Sequence, residues 1–164
     1  MRSSKTYYLP ENVGFYSTNN SESLAVDLSQ NIREILLETI KKRGRASMAV
    51  SGGSTPIPLF EALSHLDIDW SKVDLTLVDD RWVESDHKDS NELLVKSHLI
   101  KNKAGNVNFV PLKNNASTAK EGQASSEEAL KSFTLPFDIM VLGMGADGHT
   151  ASLFPCSEEI KSAM

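Results

Sequence analysis

Apolar positions in the first quarter of the chain follow the period of a helix. Leucine or isoleucine recurs every four residues from Leu24 to Ile40, which places these side chains on one helix face. Asn19, followed three positions later by Glu22, predicts an N-cap at the start of this helix. The segment "KKRGR" predicts its end, because the cations complement the helix dipole and Gly44 permits a left-handed cap. These cations could instead form a phosphate patch, but capping is the simpler interpretation.

The rest of the pattern alternates short apolar runs with helical segments. The predicted strands cover 46–51, 73–78, 107–112 and 137–142, and the predicted helices cover 56–64, 91–99 and 117–131. Strands that are apolar on both faces and alternate with helices predict a mostly parallel sheet with helices on both sides. The predicted fold class is therefore α/β, a three-layer Rossmann-like single domain over residues 1–164.

Three loops of this predicted fold share one position. "SGGST", "DDRWV" and "GMGADGHT" each leave the carboxyl end of a predicted strand. Ligands of open α/β sheets bind beyond the carboxyl ends of the strands. The sequence therefore predicts one composite site built from all three loops.

Composition narrows the class of partner. A net charge of −5 argues against nucleic acid and anionic membranes, which both attract basic surfaces. No apolar run approaches the length of about 20 residues that a membrane-spanning helix needs, and the N-terminus lacks the apolar core of a signal peptide. The single cysteine, Cys156, fits a reducing compartment. These features predict a cytoplasmic protein that binds a small molecule, and an anionic ligand would require a locally positive pocket.

The loop "GMGADGHTASLFP" begins with a match to the dinucleotide fingerprint G-x-G-x-x-G. That fingerprint also requires an acidic residue about 20 positions further on to hold the ribose. The required position falls beyond residue 164, and no following strand is predicted to carry it. The glycines are better interpreted as a backbone turn that presents the next residue, His149.

His149 is the strongest candidate for proton transfer. Histidine titrates near neutral pH and serves as a general base. We expect His149 to begin a helix, whose dipole would favour the neutral imidazole. Asp147 could orient the ring or balance its charge. A histidine that merely caps the helix is the alternative.

The segment "SGGSTP" is a candidate anion site, although it lacks the Gly-Lys-Ser/Thr of a nucleotide-binding P-loop. Its glycine pair, followed by Ser54 and Thr55 at a helix start, offers backbone N–H groups and hydroxyls to a phosphate monoester. The alternative is a tight turn in which Ser54 or Thr55 caps the helix.

The charged segment "DDRWVESDHKDSN" contains a further candidate group. Asp79, Asp80 and Arg81 directly follow a buried strand, so we expect their side chains to point into the cleft. The guanidinium fork of Arg81 suits an oxyanion. The remaining acidic residues and His87 follow no metal-ligand spacing, and we expect them in an exposed loop with no metal site.

Taken together, "AVSGGSTPIPLFEAL", "DDRWVESDHKDSN" and "GMGADGHTASLFP" resemble, in order and spacing, the signature segments of the 6-phosphogluconolactonase family. The resemblance runs from Val13 to Pro155. Glucosamine-6-phosphate deaminases share the "GSTP" turn and the "DGH" core, but usually continue "GHIAF" and carry "DEY" where this chain has "DDR". The resemblance implies the fold of the deaminase and ribose-5-phosphate isomerase group.

The resemblance also implies an activity, that of a carboxylic ester hydrolase without metal or organic cofactor. The implied reaction is hydrolysis of 6-phospho-D-glucono-1,5-lactone to 6-phosphogluconate, in the oxidative pentose phosphate pathway. His149 would be the general base, and Arg81 would offset developing negative charge while Asp79 fixes the arginine. The implied substrate-binding residues, nearest the phosphate end, are Ser51, Gly52, Gly53, Ser54, Thr55 and Gly145.

Two departures from the family pattern set the remaining expectations. Asp80 stands where the family more often has glutamate. Family members also continue well beyond "SLFP" and supply a late basic residue that contacts the phosphate, so we expect this chain to lack the family's C-terminal part and to expose a sheet edge. A monomer or weak homo-oligomer is expected. The alternative functions are a deaminase or isomerase of amino-sugar phosphates and an inactive homologue that binds sugar phosphate.

Overall fold

The computed structural model describes residues 10–158 and 160–163. Its helices are α1 (Ser21–Arg43), α2 (Ile57–Ser64), α3 (Asn91–His98), α4 (Ala119–Leu130) and α5 (Ile160–Ala163). Its strands are β1 (Ala46–Val50), β2 (Val73–Leu77), β3 (Asn108–Val110) and β4 (Ile139–Val141). Short 3-10 helices cover Trp70–Lys72 and Asn102–Asn106. Among the described helices, none is long and apolar enough to cross a membrane.

Every pair of neighbouring strands in the sheet is parallel, and the order is β3-β2-β1-β4. The chain steps outwards from β1 to β3 and then returns to the other side of β1. Because crossovers between parallel strands are right-handed, this reversal puts α4 on the face opposite α2 and α3. The predicted α/β class with a parallel sheet is confirmed.

The register brings three strand ends together. Val50 at the end of β1 pairs with Leu77 on one side and with Val141 on the other. The loops that follow β1, β2 and β4 therefore leave the same edge of the sheet, side by side. The order of the strands reverses at β1, the kind of switch point at which α/β sheets bind ligands.

Strands β1 and β2 form the centre of the core. All ten of their residues are buried, as expected of strands covered on both faces. The edge strands β3 and β4 are shorter than the predicted 107–112 and 137–142, because each pairs with a single neighbour over three residues. The three predicted helices lie within two residues of α2, α3 and α4.

Helix α1 differs from the prediction in its N-cap and in its buried face. The N-cap is Asn20, whose Oδ1 accepts a hydrogen bond of 2.8 Å from Ser23 N, so the predicted cap at Asn19 was one residue early. Gly44 is the left-handed C-cap as predicted, with φ 84°. The buried face comprises Ala25, Ser29, Ile32 and Leu36. Two leucines of the predicted apolar stripe are instead partly exposed and line a cavity beside the sheet: Leu24 (41%) and Leu28 (37%).

The cations around the end of α1 bind carboxylates of the fold. Arg43 pairs with Asp138 of the loop before β4, and Arg45 pairs with the buried Asp74 of β2. These arginines of "KKRGR" therefore have a structural role, and the alternative in which the segment binds phosphate is not supported.

Candidate active site

A cavity of about 430 Å³ lies beyond the carboxyl ends of β1, β2 and β4. The three predicted loops meet there, as the sequence analysis expected. The predicted site residues that line the cavity are Ser51, Gly52, Gly53, Thr55, Asp79, Arg81, Gly145 and His149. Of the remaining two, Ser54 lies within the turn after β1 and Asp147 contacts the cavity residue His149.

The turn after β1 contains backbone donors that face the cavity. Within the described ranges, the N–H groups of residues 52–55 donate no hydrogen bond. The N-cap of α2 is Pro56, and no side chain among the described residues caps that helix, so the alternative in which Ser54 or Thr55 is the cap is wrong. Gly53 has φ +91°, a conformation that favours glycine. The turn therefore presents donors to the cavity next to the start of α2, an arrangement suited to an anion.

Asn91 is a site residue that sequence analysis missed, since its position predicted only a helix start. Its side chain is buried beside the turn, and its Nδ2 donates a 2.9 Å hydrogen bond to the backbone oxygen of Asp79. A Cβ atom at position 52 would lie 1.7 Å from Asn91 Oδ1, so the close approach requires Gly52. Asn91 thereby joins the turn after β1 to the loop after β2.

The carboxylate of Asp79 bridges two loops. Its Oδ2 accepts a 2.8 Å hydrogen bond from Ser152 Oγ, and its Oδ1 lies 3.4 Å from Asn91 Nδ2. Arg81 has an exposed side chain, and its guanidinium makes no hydrogen bond or ion pair with the described residues. The implied role of Asp79 in fixing Arg81 is therefore wrong in this structure. Arg81 is left as a cation available to an anionic ligand.

Asp80 shapes the loop and does not line the cavity. Its Oδ1 accepts hydrogen bonds from the backbone nitrogens of Arg81 (2.8 Å) and Asn91 (3.0 Å). The expectation that Asp80 points into the cleft is wrong, because the N–H groups at the start of α3 and at Arg81 take up this carboxylate. Its Oδ2 is buried and has no hydrogen-bond partner among the described residues.

His149 lies at the cavity with one ring nitrogen occupied. Its Nδ1 is 2.5 Å from Asp147 Oδ1, and this hydrogen bond holds the pKa of Asp147 below its ordinary value. The ring also packs against Phe154 at a centroid distance of 4.6 Å, with the two ring planes tilted by 34°. With Nδ1 bound to a carboxylate, Nε2 is the nitrogen left to exchange a proton with a ligand. The contact that a ring-orienting role of Asp147 requires is therefore present.

Gly145 permits this ring position. Its backbone N donates a 2.8 Å hydrogen bond to the carbonyl oxygen of His149. A Cβ atom at position 145 would lie 2.2 Å from His149 Cε1, far inside van der Waals contact. The glycine is therefore required for close packing of the imidazole.

The predicted helix beginning at His149 does not form. Thr150 and Leu153 make an isolated antiparallel bridge, and Ala151 adopts φ +52°, which a right-handed helix excludes. The argument from a helix dipole is therefore wrong, as is the alternative of a helix-capping histidine. Asp147 is the group that acts on the ring.

The segment after Arg81 is a loop at the surface. Asp86, His87 and Asp89 are exposed, as predicted. Across residues 10–158 and 160–163, no group of three or more His, Cys, Asp or Glu side chains could hold a metal ion. Cys156 is a free, exposed thiol.

Comparison with known proteins shows that the chain is similar to a known family. Residues 19–164 match the family described as glucosamine-6-phosphate isomerases/6-phosphogluconolactonase. The chain is 44% identical to a 6-phosphogluconolactonase of Rhizobium meliloti over 88% of its length and 62% of the relative's. It is 38% identical to a 6-phosphogluconolactonase of Pseudomonas aeruginosa over 95% of its length and 66% of the relative's.

A solved structure is also similar. The crystal structure of a 6-phosphogluconolactonase from Shewanella baltica superposes with a TM-score of 0.88 at 50% identity, covering 90% of this chain and 63% of that one. The chain thus spans 62% to 66% of the length of these three relatives.

Proposed function

The chain belongs to the family of glucosamine-6-phosphate isomerases and 6-phosphogluconolactonases, and we propose that its site is that of a 6-phosphogluconolactonase. The proposed reaction is hydrolysis of 6-phospho-D-glucono-1,5-lactone to 6-phosphogluconate in the pentose phosphate pathway, in the cytoplasm, by a monomer or weak homo-oligomer. The observation that carries the proposal is the convergence of His149, Arg81 and the glycine turn on one cavity. A catalyst of lactone hydrolysis can use a base, a cation near the carbonyl oxygen and a phosphate site, and these three groups supply them.

His149 is the proposed general base. Its Nδ1–H donates to Asp147, and Nε2 takes a proton from water as the water oxygen attacks the lactone carbonyl carbon. The tetrahedral intermediate then collapses, the bond from that carbon to the ring oxygen breaks, and the imidazolium returns the proton to the ring oxygen. The products are a hydroxyl and a carboxylic acid, which ionises in solution. Asp147 holds the required tautomer and stabilises the imidazolium while it exists.

Arg81 and the turn after β1 are proposed to bind the two anionic groups, which are the oxyanion of the intermediate and the phosphate. The guanidinium of Arg81 is unpaired among the described residues, so it is available to the oxyanion that forms at the carbonyl. The N–H groups of residues 52–55, which donate to no described residue, and the hydroxyls of Ser54 and Thr55 suit the phosphate. Ser51 and Gly145 line the same cavity. The chemistry needs no metal, and none is part of the proposal.

Two assays on one preparation test this function. Lactone hydrolysis is followed by base titration against a blank that measures spontaneous ring opening, and ammonia release is followed with glucosamine 6-phosphate. We expect hydrolysis above the blank and no ammonia. Ammonia release without hydrolysis would indicate a deaminase-type enzyme. A folded protein that binds 6-phosphogluconate but does not exceed the blank would be a sugar-phosphate-binding homologue without the activity.

A further inference from the structure

The segment 143–155, here called the histidine loop, makes one hydrogen bond to the described residues that precede it in the chain. Most of its hydrogen bonds are internal, among them Gly145 N to His149 O (2.8 Å) and Leu153 N to Thr150 O (3.0 Å). The carbonyl oxygen of Phe154 accepts a 3.0 Å bond from Ser157 N, in the residues that directly follow the loop. The bond to the rest of the fold runs from Ser152 Oγ to Asp79 Oδ2 at 2.8 Å, and no other hydrogen bond joins the loop to residues 10–142.

Apolar packing adds little to this attachment. The loop's large apolar side chains are largely solvent-exposed at Met144 (81%) and Leu153 (43%). Phe154 packs on the ring of His149, which is a contact within the loop itself. The position of the histidine relative to the cavity therefore depends on the bond between Ser152 and Asp79.

The other end of that bond is rigidly held. Asp79 follows strand β2, and its backbone oxygen accepts from the amide of Asn91, which is only 5% exposed. The same amide lies 3.4 Å from Asp79 Oδ1, so the carboxylate is restrained on both oxygens. A hydroxyl that donates to a carboxylate forms a stronger hydrogen bond than one between neutral groups. A continuous connection thus runs from α3 through Asn91 and Asp79 to the histidine loop.

We propose that Ser152 is a positioning residue, and that its hydrogen bond to Asp79 sets the place of His149 opposite Arg81 and the glycine turn. Asp79 serves this site by holding the histidine loop, a role that replaces the implied contact with Arg81. The inference rests on the proposed function for the chemistry of His149, but the attachment itself is a physical property that can be measured without turnover.

The test compares three variants: Ser152→Ala, Ser152→Thr, which keeps a hydroxyl, and Thr150→Ala as a matched control. The Thr150 hydroxyl lies in the same loop and makes no hydrogen bond to a described residue. The first measurement is amide hydrogen exchange of Gly145, Gly148 and Leu153, with the imidazole Hε1 resonance of His149 read by NMR. We expect Ser152→Ala to speed exchange about tenfold, the order for one charge-assisted hydrogen bond, and to shift or broaden the His149 resonance. Ser152→Thr should restore both, and Thr150→Ala should change neither.

The second measurement is kinetic. Loss of His149 placement should lower kcat for the lactone about tenfold in Ser152→Ala and leave KM within about twofold, since the glycine turn is untouched. Adding Ser152→Ala to Asp79→Ala should cost nothing further, because the partner is already absent.

Unchanged exchange and an unchanged His149 resonance in Ser152→Ala would overturn the inference, as would equal effects in Thr150→Ala. If the exchange result holds but the wild-type protein does not hydrolyse the lactone, the positioning role stands and the proposed function fails.

Discussion

His149 Nδ1 and Asp147 Oδ1 are 2.5 Å apart, so the imidazole and the carboxylate two residues before it form one unit. The turn 145–148, which contains Asp147 and leads into His149, closes through a hydrogen bond of 2.9 Å from Gly148 N to Gly145 O. The local sequence thereby fixes which ring nitrogen remains available to a ligand.

Asp147→Asn is expected to lower kcat for the lactone by roughly 10²-fold or more, with little change in KM. An asparagine amide can donate to Nδ1, which would leave the proton on Nε2 and remove the base. The measurement is steady-state kinetics. Asp86→Asn, in the exposed loop after Arg81, is the control and should behave as wild type. A kcat for Asp147→Asn within twofold of wild type would contradict the orienting role.

Gly145→Ala should displace the imidazole, because the added Cβ would lie 2.2 Å from His149 Cε1. We expect a loss of activity and a changed His149 resonance in a protein that still folds. Gly143→Ala is the matched comparison in the same loop, where the nearest contact of a new Cβ is Ser51 Oγ at 3.7 Å. Equal effects of the two substitutions would show that crowding of the ring is not the cause.

Gly52→Ala should destabilise the junction between the turn and Asn91. The added Cβ would overlap Asn91 Oδ1, and relief of such a clash in a packed region costs roughly 1–3 kcal/mol of the free energy of unfolding. Urea denaturation gives this quantity, and 6-phosphogluconate binding should weaken in parallel. Gly105→Ala serves as control, since a Cβ there meets no atom of the described residues within 4 Å. Equal stability of the two variants would contradict the account.

Asp74 gives a prediction on pH. Burial acts to raise its pKa, but hydrogen bonds from Arg45 and Asn108 outweigh burial and hold the pKa below its ordinary value. A carboxyl with a lowered folded-state pKa stabilises the fold above its unfolded pKa of about 3.9, and this contribution is lost as pH falls through the folded value.

Asp74→Asn should therefore reduce the free energy of unfolding at pH 7 by about 1–2 kcal/mol, a modest figure because Arg45 is half exposed. The deficit relative to wild type should shrink as the pH falls below about 4. Urea titrations at several pH values measure it. Asp67→Asn, on an exposed carboxyl, should show neither effect. A deficit that stays constant with pH would refute the assignment.

The sequence alone was sufficient to predict the strands that are completely buried. The apolar runs of β1 and β2 have few alternatives to a buried parallel strand, and their boundaries were predicted within one residue. The edge strands were predicted too long because their ends depend on a neighbour that pairs over only three residues. The predicted N-cap was one residue early because Asn19 and Asn20 are both good capping residues. The backbone conformation of the folded chain determines which of them caps the helix.

The sequence predicted those residues of the candidate site that lie in loops at the ends of strands. Glycine-rich and charged loops at strand ends identified the cavity residues His149, Arg81 and Gly53 without coordinates. Asn91 and Ser152 were missed because their roles depend on partners 12 and 73 positions away in sequence. The false helix at His149 has a different cause. Positive φ at Ala151 and the bridge from Thr150 to Leu153 are set by the folded loop, and local propensity does not reveal them.

The most direct test of the central claim is the initial rate of 6-phosphogluconolactone hydrolysis by the wild-type protein and by His149→Gln, each corrected for spontaneous opening. The account predicts that the wild type exceeds the blank and that His149→Gln, with unchanged circular dichroism and unchanged 6-phosphogluconate binding, falls to the blank. A His149→Gln protein that hydrolyses the lactone as fast as wild type would contradict the account.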